Sequence, residues 1–174
     1  MKRLSTLPLL VAAVVALDQI TKWWVVSHVP VGHYWFPIPA LAHFVAVEHV
    51  TNTGVAFGLF KDAGPVFALA STTIIIVMIG YLIRLPRDRR WVRLALGFLL
   101  AGAIGNLIDR LRLGYVVDFI AVGSFSRFNV ADSAVTIGVA LMLVAALLDG
   151  RRPSAAKAQA ASDADSSPAN QQTR

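Results

Sequence analysis

Four apolar segments of about 20 residues each limit what this chain can fold into: Leu4 to about Val26, Gly64 to Ile83, Trp91 to Leu111, and about Val130 to Leu148. A helix of that length crosses the hydrocarbon of a bilayer, where every backbone N–H and C=O must find a partner inside the protein. The sequence is therefore expected to form an all-α integral membrane protein with four transmembrane helices. With 56% hydrophobic and 15% charged residues in 174, it falls outside the range of ordinary soluble domains. The absence of cysteine excludes disulfides, thiolate metal sites and a cysteine nucleophile.

Lys2, Arg3 and the apolar run behind them also resemble the start of a cleaved secretory signal. The run continues past Asp18, Gln19 and Lys22 to Trp23 and Trp24, an aromatic belt at the end of a span, so it is read as the first transmembrane helix. Asp18 and Lys22 lie four apart on one helix face, where they can pair. Two roles stay open for them: a structural ion pair with Lys22 snorkelling outward, or a direct part in a functional site, the default for charge inside a membrane.

Between Ser27 and Asp62 the chain changes character. It carries Pro30, Pro37 and Pro39, an alternating run from Phe44 to Val50, and a turn signal at Asn52 and Gly54. A small extramembrane β-sheet region over about 27–62, between helices 1 and 2, is expected. His28, His33, His43 and His49 have spacings that match no helical metal-binding pair, so no metal site is expected. In the second span, Ser71, Thr72 and Thr73 can bond to the preceding turn of their own helix. In the third, Gly97, Ala101 and Gly105 recur every fourth residue, a small-residue stripe that admits a neighbouring helix and leads to Asp109.

Lys2 and Arg3, the cluster Arg84, Arg87, Arg89 and Arg90, and Arg151 and Arg152 fall on one side of a four-span topology. The positive-inside rule makes that side cytoplasmic, with both termini. The net charge of +6 is thus a topology signal, and no nucleic-acid partner is expected. Residues 1–150 form the membrane domain, and 151–174, rich in Ala, Ser, Asp and Gln, are expected to be a disordered cytoplasmic tail.

The most polar part of the chain is GNLIDRLRLGYVVDFI with FNVADSAVTIG. Asp109, Asp118 and Asp132, with Asn106, Arg110 and Asn129, lie at the ends of the last two spans and in the piece joining them. Asn52 and Asp18 join them at the outer end of the bundle. Ionisable groups beside hydrocarbon are costly and mark functional sites. Each also has a plain structural role. Asp118 can make a turn, Asn129 and Asp132 can cap a helix, Asn106 can orient Asp109, and Arg110 can fork onto carboxylates or backbone carbonyls. Residue chemistry alone leaves a peptidase, a proton-coupled transporter and a non-catalytic scaffold open.

The motifs DQITKWW, NTGVAFGLF, GNLIDRLRLGYVVDFI and FNVADSAVTIG, in this order on four spans, resemble bacterial lipoprotein signal peptidase, the type II signal peptidase. The resemblance covers nearly all of residues 1 to 150. It implies an aspartic endopeptidase that cleaves diacylglyceryl-modified prolipoproteins before the lipidated cysteine, with no cofactor. It would act as a monomer in contact with lipid, in the bacterial inner membrane, with its active site near the outer face. The family's catalytic pair falls on Asp118 and Asp132. Its supporting residues fall on Asp18, Lys22, Asn52, Asn106, Asp109, Arg110 and Asn129.

Overall fold

The computed structural model describes residues 6–54, 64–123 and 126–150. Lys2, Arg3, most of the NTGVAFGLF motif and the expected tail over 151–174 lie outside the described residues. Among those described, four helices are long and apolar enough to cross a membrane. They are α1 (Thr6–His28), α2 (Gly64–Arg84), α3 (Arg90–Leu113) and α4 (Val130–Gly150). Large apolar side chains such as Leu17, Ile20, Val77, Ile83, Val139 and Leu143 point outward. In water that surface would be a liability, and in lipid it is the outer coat of the bundle.

Helix α3 is the central element, and its small residues explain why. A side chain at Gly97 would meet Leu7 and Leu10 of α1, and one at Gly105 would meet Asp18 of α1 and Ala131 of α4. Gly102 approaches the carbonyl of Ala131 and the side chain of Val135, and on α4 Gly138 approaches Leu99 and the carbonyl of Ala95. Lipid tails are as apolar as leucine, so helices in a membrane associate through this kind of close backbone approach. Thr72 and Thr73 bond back to the carbonyls of Ala68 and Leu69 and leave α2 self-contained. At the far end, Arg93 Nη1 donates to the carbonyls of Leu82 and Leu85 and closes the end of α2.

A four-stranded antiparallel sheet caps the end of the bundle where α1 and α3 finish and α2 and α4 begin. Its strands are β1 (Tyr34–Trp35), β2 (Val45–Asn52), β3 (Val116–Val122) and β4 (Ser126–Phe128), in the order β1-β2-β3-β4. The sheet expected over 27–62 is present, and among the described residues that segment supplies two of its strands. The other two come from the stretch between α3 and α4, where the sequence predicts only a joining piece. The reason is burial on both faces: Val116, Val117, Asp118 and Phe119 are all buried, so β3 lacks the apolar–polar alternation that identifies a half-buried strand.

Local geometry sets the registers. Gly114 ends α3 in the left-handed conformation (φ 82°), with its N–H on the carbonyl of Arg110 at 3.1 Å, and turns the chain into β3. Between the pairs Val47↔Ile120 and Val50↔Asp118, β2 spends one more residue than β3, a β-bulge. Beyond it Asn52 pairs with Val116, diagonal to Asp118 on the same face. Val25, Val29 and Phe119 form a small core that fixes the end of α1 to the sheet, with Trp24, Val47, Ile120 and Val130 around it.

The packing makes a prediction about α3. Gly102→Ala places a methyl group against the backbone of Ala131 and should cost about 1–3 kcal/mol by overpacking. Gly80→Ala, with nothing within 4 Å of the added carbon, should cost nothing comparable. Thermal unfolding of both variants in detergent checks the difference.

Candidate functional site

Asn129 is the junction of the site. It caps α4 reciprocally with Asp132: the Asp132 N–H donates to Asn129 Oδ1 at 2.9 Å, and the Asn129 N–H donates to Asp132 Oδ2 at 3.2 Å. This is the geometry of a capping box with Asn and Asp in place of Ser and Glu. The cap and the site are therefore the same structure at these two residues. The Asn129 side chain also donates to Asp118 Oδ1 at 2.8 Å, so one residue holds both carboxyl groups.

The two remaining carboxyl oxygens are held in the same way. Asn52 Nδ2 donates to Asp118 Oδ2 at 2.8 Å from β2, and its Oδ1 accepts the N–H of Gly54 (φ 80°) at 2.8 Å in an Asx turn. Asn106 Nδ2 donates to Asp132 Oδ1 at 2.8 Å from α3. Each oxygen of the Asp118–Asp132 pair thus accepts a neutral amide donor. Among the described residues no lysine or arginine bonds either one. Burial raises the Asp118 carboxyl above the ordinary carboxylate range and the charge of Asp132 pushes the same way, against hydrogen bonds from Asn52 and Asn129 that pull it down.

The cation of the site lies one layer back. Lys22 Nζ donates to Asp18 Oδ2 at 2.9 Å, Asp109 Oδ2 at 2.8 Å and Asn106 Oδ1 at 2.9 Å, which uses all three ammonium donors. The expected Asp18–Lys22 pair is present, but Lys22 is buried and turned inward, not snorkelling to the interface. The two carboxylates then reach the backbone beside the pair described above. Asp18 Oδ1 accepts the N–H of Ala131 at 2.8 Å, next to Asp132, and Asp109 Oδ2 accepts the N–H of Val117 at 3.1 Å, next to Asp118. Asp18 also serves as an anion at the start of α4, where the helix dipole favours one.

Asn106 shares a helix face with Asp109 but turns to Asp132 and Lys22, not to its neighbour. Arg110 stands apart from the carboxylates. Its Nη1 donates to the carbonyl of Asn106 at 3.3 Å, and its guanidinium lies 5.9 Å from the ring centre of Phe67. Of the two structural roles open to it, the carbonyl one is realised, through a single donor.

Two groups escaped the sequence reading. The two N–H groups of Gln19 Nε2 are shared among Asp18 Oδ2, Asp109 Oδ1 and the carbonyl of Gly105, at 3.1, 3.0 and 3.2 Å. Its signal was an amide side chain inside a span. On the sheet, Arg127 donates to Glu48 Oε2 at 2.7 Å and to the hydroxyl of Tyr34 at 3.1 Å. That cluster joins strands far apart in sequence, and nothing in the sequence marked it. Of the histidines, His49 is buried and its Nδ1 lies 2.8 Å from the carbonyl of Val29, a structural place in the sheet.

The chain is similar to known proteins over most of its length. The family described as Signal peptidase (SPase) II matches residues 10–148. The lipoprotein signal peptidases of Streptococcus pyogenes serotype M1 and of serotype M5 strain Manfredo are each 41% identical over 145 residues, covering 82% of this chain and 92% of theirs. A bacterial membrane enzyme solved by the in meso method is 33% identical with a TM-score of 0.78, over 87% of this chain and 94% of that one. A second has 34% identity and a TM-score of 0.76, over 83% and 94%.

The Lys22 geometry yields a stability prediction. Lys22→Met leaves Asp18 and Asp109 buried without their counter-charge and should cost about 3–5 kcal/mol. Chemical unfolding in mild detergent, followed by tryptophan fluorescence, measures it.

Proposed function

The chain belongs to the signal peptidase II family, and we propose that it cleaves diacylglyceryl-modified prolipoproteins before the lipidated cysteine, with Asp118 and Asp132 as a water-activating aspartate dyad. The observation that carries this reading is the Asn129 bridge: one asparagine holds both carboxyl groups, and every carboxyl oxygen accepts a neutral amide.

Amide hydrolysis through an aspartate pair needs one proton shared between two close carboxyl groups. A lysine or arginine directly on either would favour both being ionised. Neutral amides hold the geometry without imposing that charge state. Burial raises the Asp118 carboxyl, which makes it the member of the pair assigned the proton in this reading. Asp132 sits in the first turn of α4, where a negative charge is favoured.

As the water oxygen adds to the scissile carbonyl carbon, Asp132 takes a proton from the water and Asp118 gives its own to the carbonyl oxygen. When the C–N bond breaks, the proton on Asp132 passes to the leaving nitrogen. The hydroxyl proton returns to Asp118 as the carbonyl reforms, and the pair ends in its starting state.

The location supports the same substrate. Acyl chains hold a lipidated cysteine at the membrane surface, and Asp118 lies in a sheet that caps one end of the bundle. The arginine-rich turn between α2 and α3 is at the opposite end, so the positive-inside rule puts the dyad near the outer face of the bacterial inner membrane and both termini in the cytoplasm. The ionisable groups gather at that one end, which favours a peptidase over a transporter with a relay along several depths.

Asp118→Asn and Asp132→Asn should each reduce cleavage of a purified diacylglyceryl prolipoprotein by about 10²–10⁴-fold, the range for loss of a general acid or base. Either variant cutting at the native rate would contradict the dyad. The pH dependence has a definite sign. The protonated form of Asp118 persists above the ordinary carboxylate range, so activity should fall as pH climbs through that raised value. A carboxyl raised in the folded state stabilises the fold at low pH and loses that contribution as pH rises through its folded value. Asp118→Asn should therefore unfold no earlier than the native chain at alkaline pH, checked by thermal scans across pH.

A further inference from the structure

We propose that Gln19 is a positioning residue for the peptidase reaction, fixing the carboxylate plane of Asp109 and, through the backbone amide of Val117 that this carboxylate holds, the placement of Asp118. The proposal rests on the dyad reading given above. Gln19 touches no oxygen of the dyad, so its effect is indirect.

The geometry is specific at Asp109. Its Oδ2 accepts both Lys22 Nζ at 2.8 Å and the Val117 N–H at 3.1 Å. Its Oδ1 accepts Gln19 Nε2 at 3.0 Å and, among the described residues, nothing else. A carboxylate held by one oxygen can pivot about that point, whereas one held at both has its plane fixed. With Gln19 in place, the acceptor under Val117 cannot swing, and Asp118 follows Val117 on the strand.

Asp18 differs: Oδ1 carries the Ala131 N–H at 2.8 Å and Oδ2 takes Lys22 at 2.9 Å, so its plane is held without Gln19, which adds a further contact to Oδ2 at 3.1 Å. The same amide reaches the Gly105 carbonyl at 3.2 Å, where the absence of a side chain on Gly105 lets α1 and α3 approach. Charge explains why a neutral donor is needed. Lys22 supplies one positive charge to two carboxylates and has no donor left, so the second oxygen of Asp109 requires a donor from elsewhere. Gln19 supplies it from the neighbouring position on α1 without another charge to bury.

The test uses the full chain in bilayer nanodiscs, a diacylglyceryl prolipoprotein as substrate, and three variants. Gln19→Met keeps the length and removes the donors. It should lower kcat about 10–100-fold, as sub-ångström misplacement of reacting groups does, with KM within about twofold because the substrate contacts stay. Gln19→Glu carries a donor only when protonated, so its activity should recover as pH falls and vanish at a lower pH than that of the native chain. A merely structural residue would not produce that displaced limb.

Native kcat and a native pH profile in Gln19→Met would overturn the proposal, as would a lowered melting temperature with unchanged kcat well below it. If Gln19→Met fails to fold, a Gln19→Glu profile that coincides with the native one overturns it equally. Asp118→Asn is measured alongside. Full cleavage there refutes the dyad itself, whereas an inactive Asp118→Asn with a fully active Gln19→Met refutes only the role of Gln19.

Discussion

A single buried ammonium organises this end of the molecule. Lys22 lies between Asp18 and Asp109, and those three side chains tie α1 to α3 and, through the amides of Ala131 and Val117, to α4 and β3. A charge taken out of water is tolerated only when it is paired and its hydrogen-bonding capacity is used. Here all three ammonium donors and both carboxylates are engaged. Pairing at this site requires four elements from distant parts of the chain to meet in one arrangement, so the interaction that solves a burial problem also specifies a geometry.

That arrangement separates two kinds of electrostatics that a single cluster would confuse. The ion-paired carboxylates are held by a cation, and the proposed dyad is held by the side-chain amides of Asn52, Asn106 and Asn129 and the Asn129 backbone. Asn106 belongs to both layers, accepting from Lys22 and donating to Asp132. The position of the proposed dyad is therefore linked to the ion pair through Asn106. The sheet completes the division. Its bulge places Asn52 diagonal to Asp118, and its small core of Val25, Val29 and Phe119 fixes both to the end of α1.

Much of this was legible in the sequence, for identifiable reasons. The four spans are long and uniformly apolar, so length alone gives them, and the glycine row leading to Asp109 marks the inner face of α3. Polar residues inside hydrocarbon are few, which made Asp18, Lys22, Asn106, Asp109, Asn129 and Asp132 stand out before any contact was known. Strand β3 was hidden because burial on both faces erased its alternation. The inward turn of Lys22 was not readable either, since a lysine four residues from an aspartate pairs equally well while snorkelling. Arg110 and Gln19 show the limit from opposite sides. A conspicuous charge packs on Phe67 and its own helix, while an inconspicuous amide beside Asp18 reaches two carboxylates.

The central claim is that the amide-held pair of Asp118 and Asp132 stores one proton. Infrared difference spectroscopy of the native chain near neutral pH, with isotope-labelled aspartate to assign carboxyl bands, tests it directly. The account predicts one protonated carboxyl band that disappears in Asp118→Asn and remains in Asn52→Ala. A native spectrum with no protonated carboxyl, or a band that persists in Asp118→Asn, would contradict it.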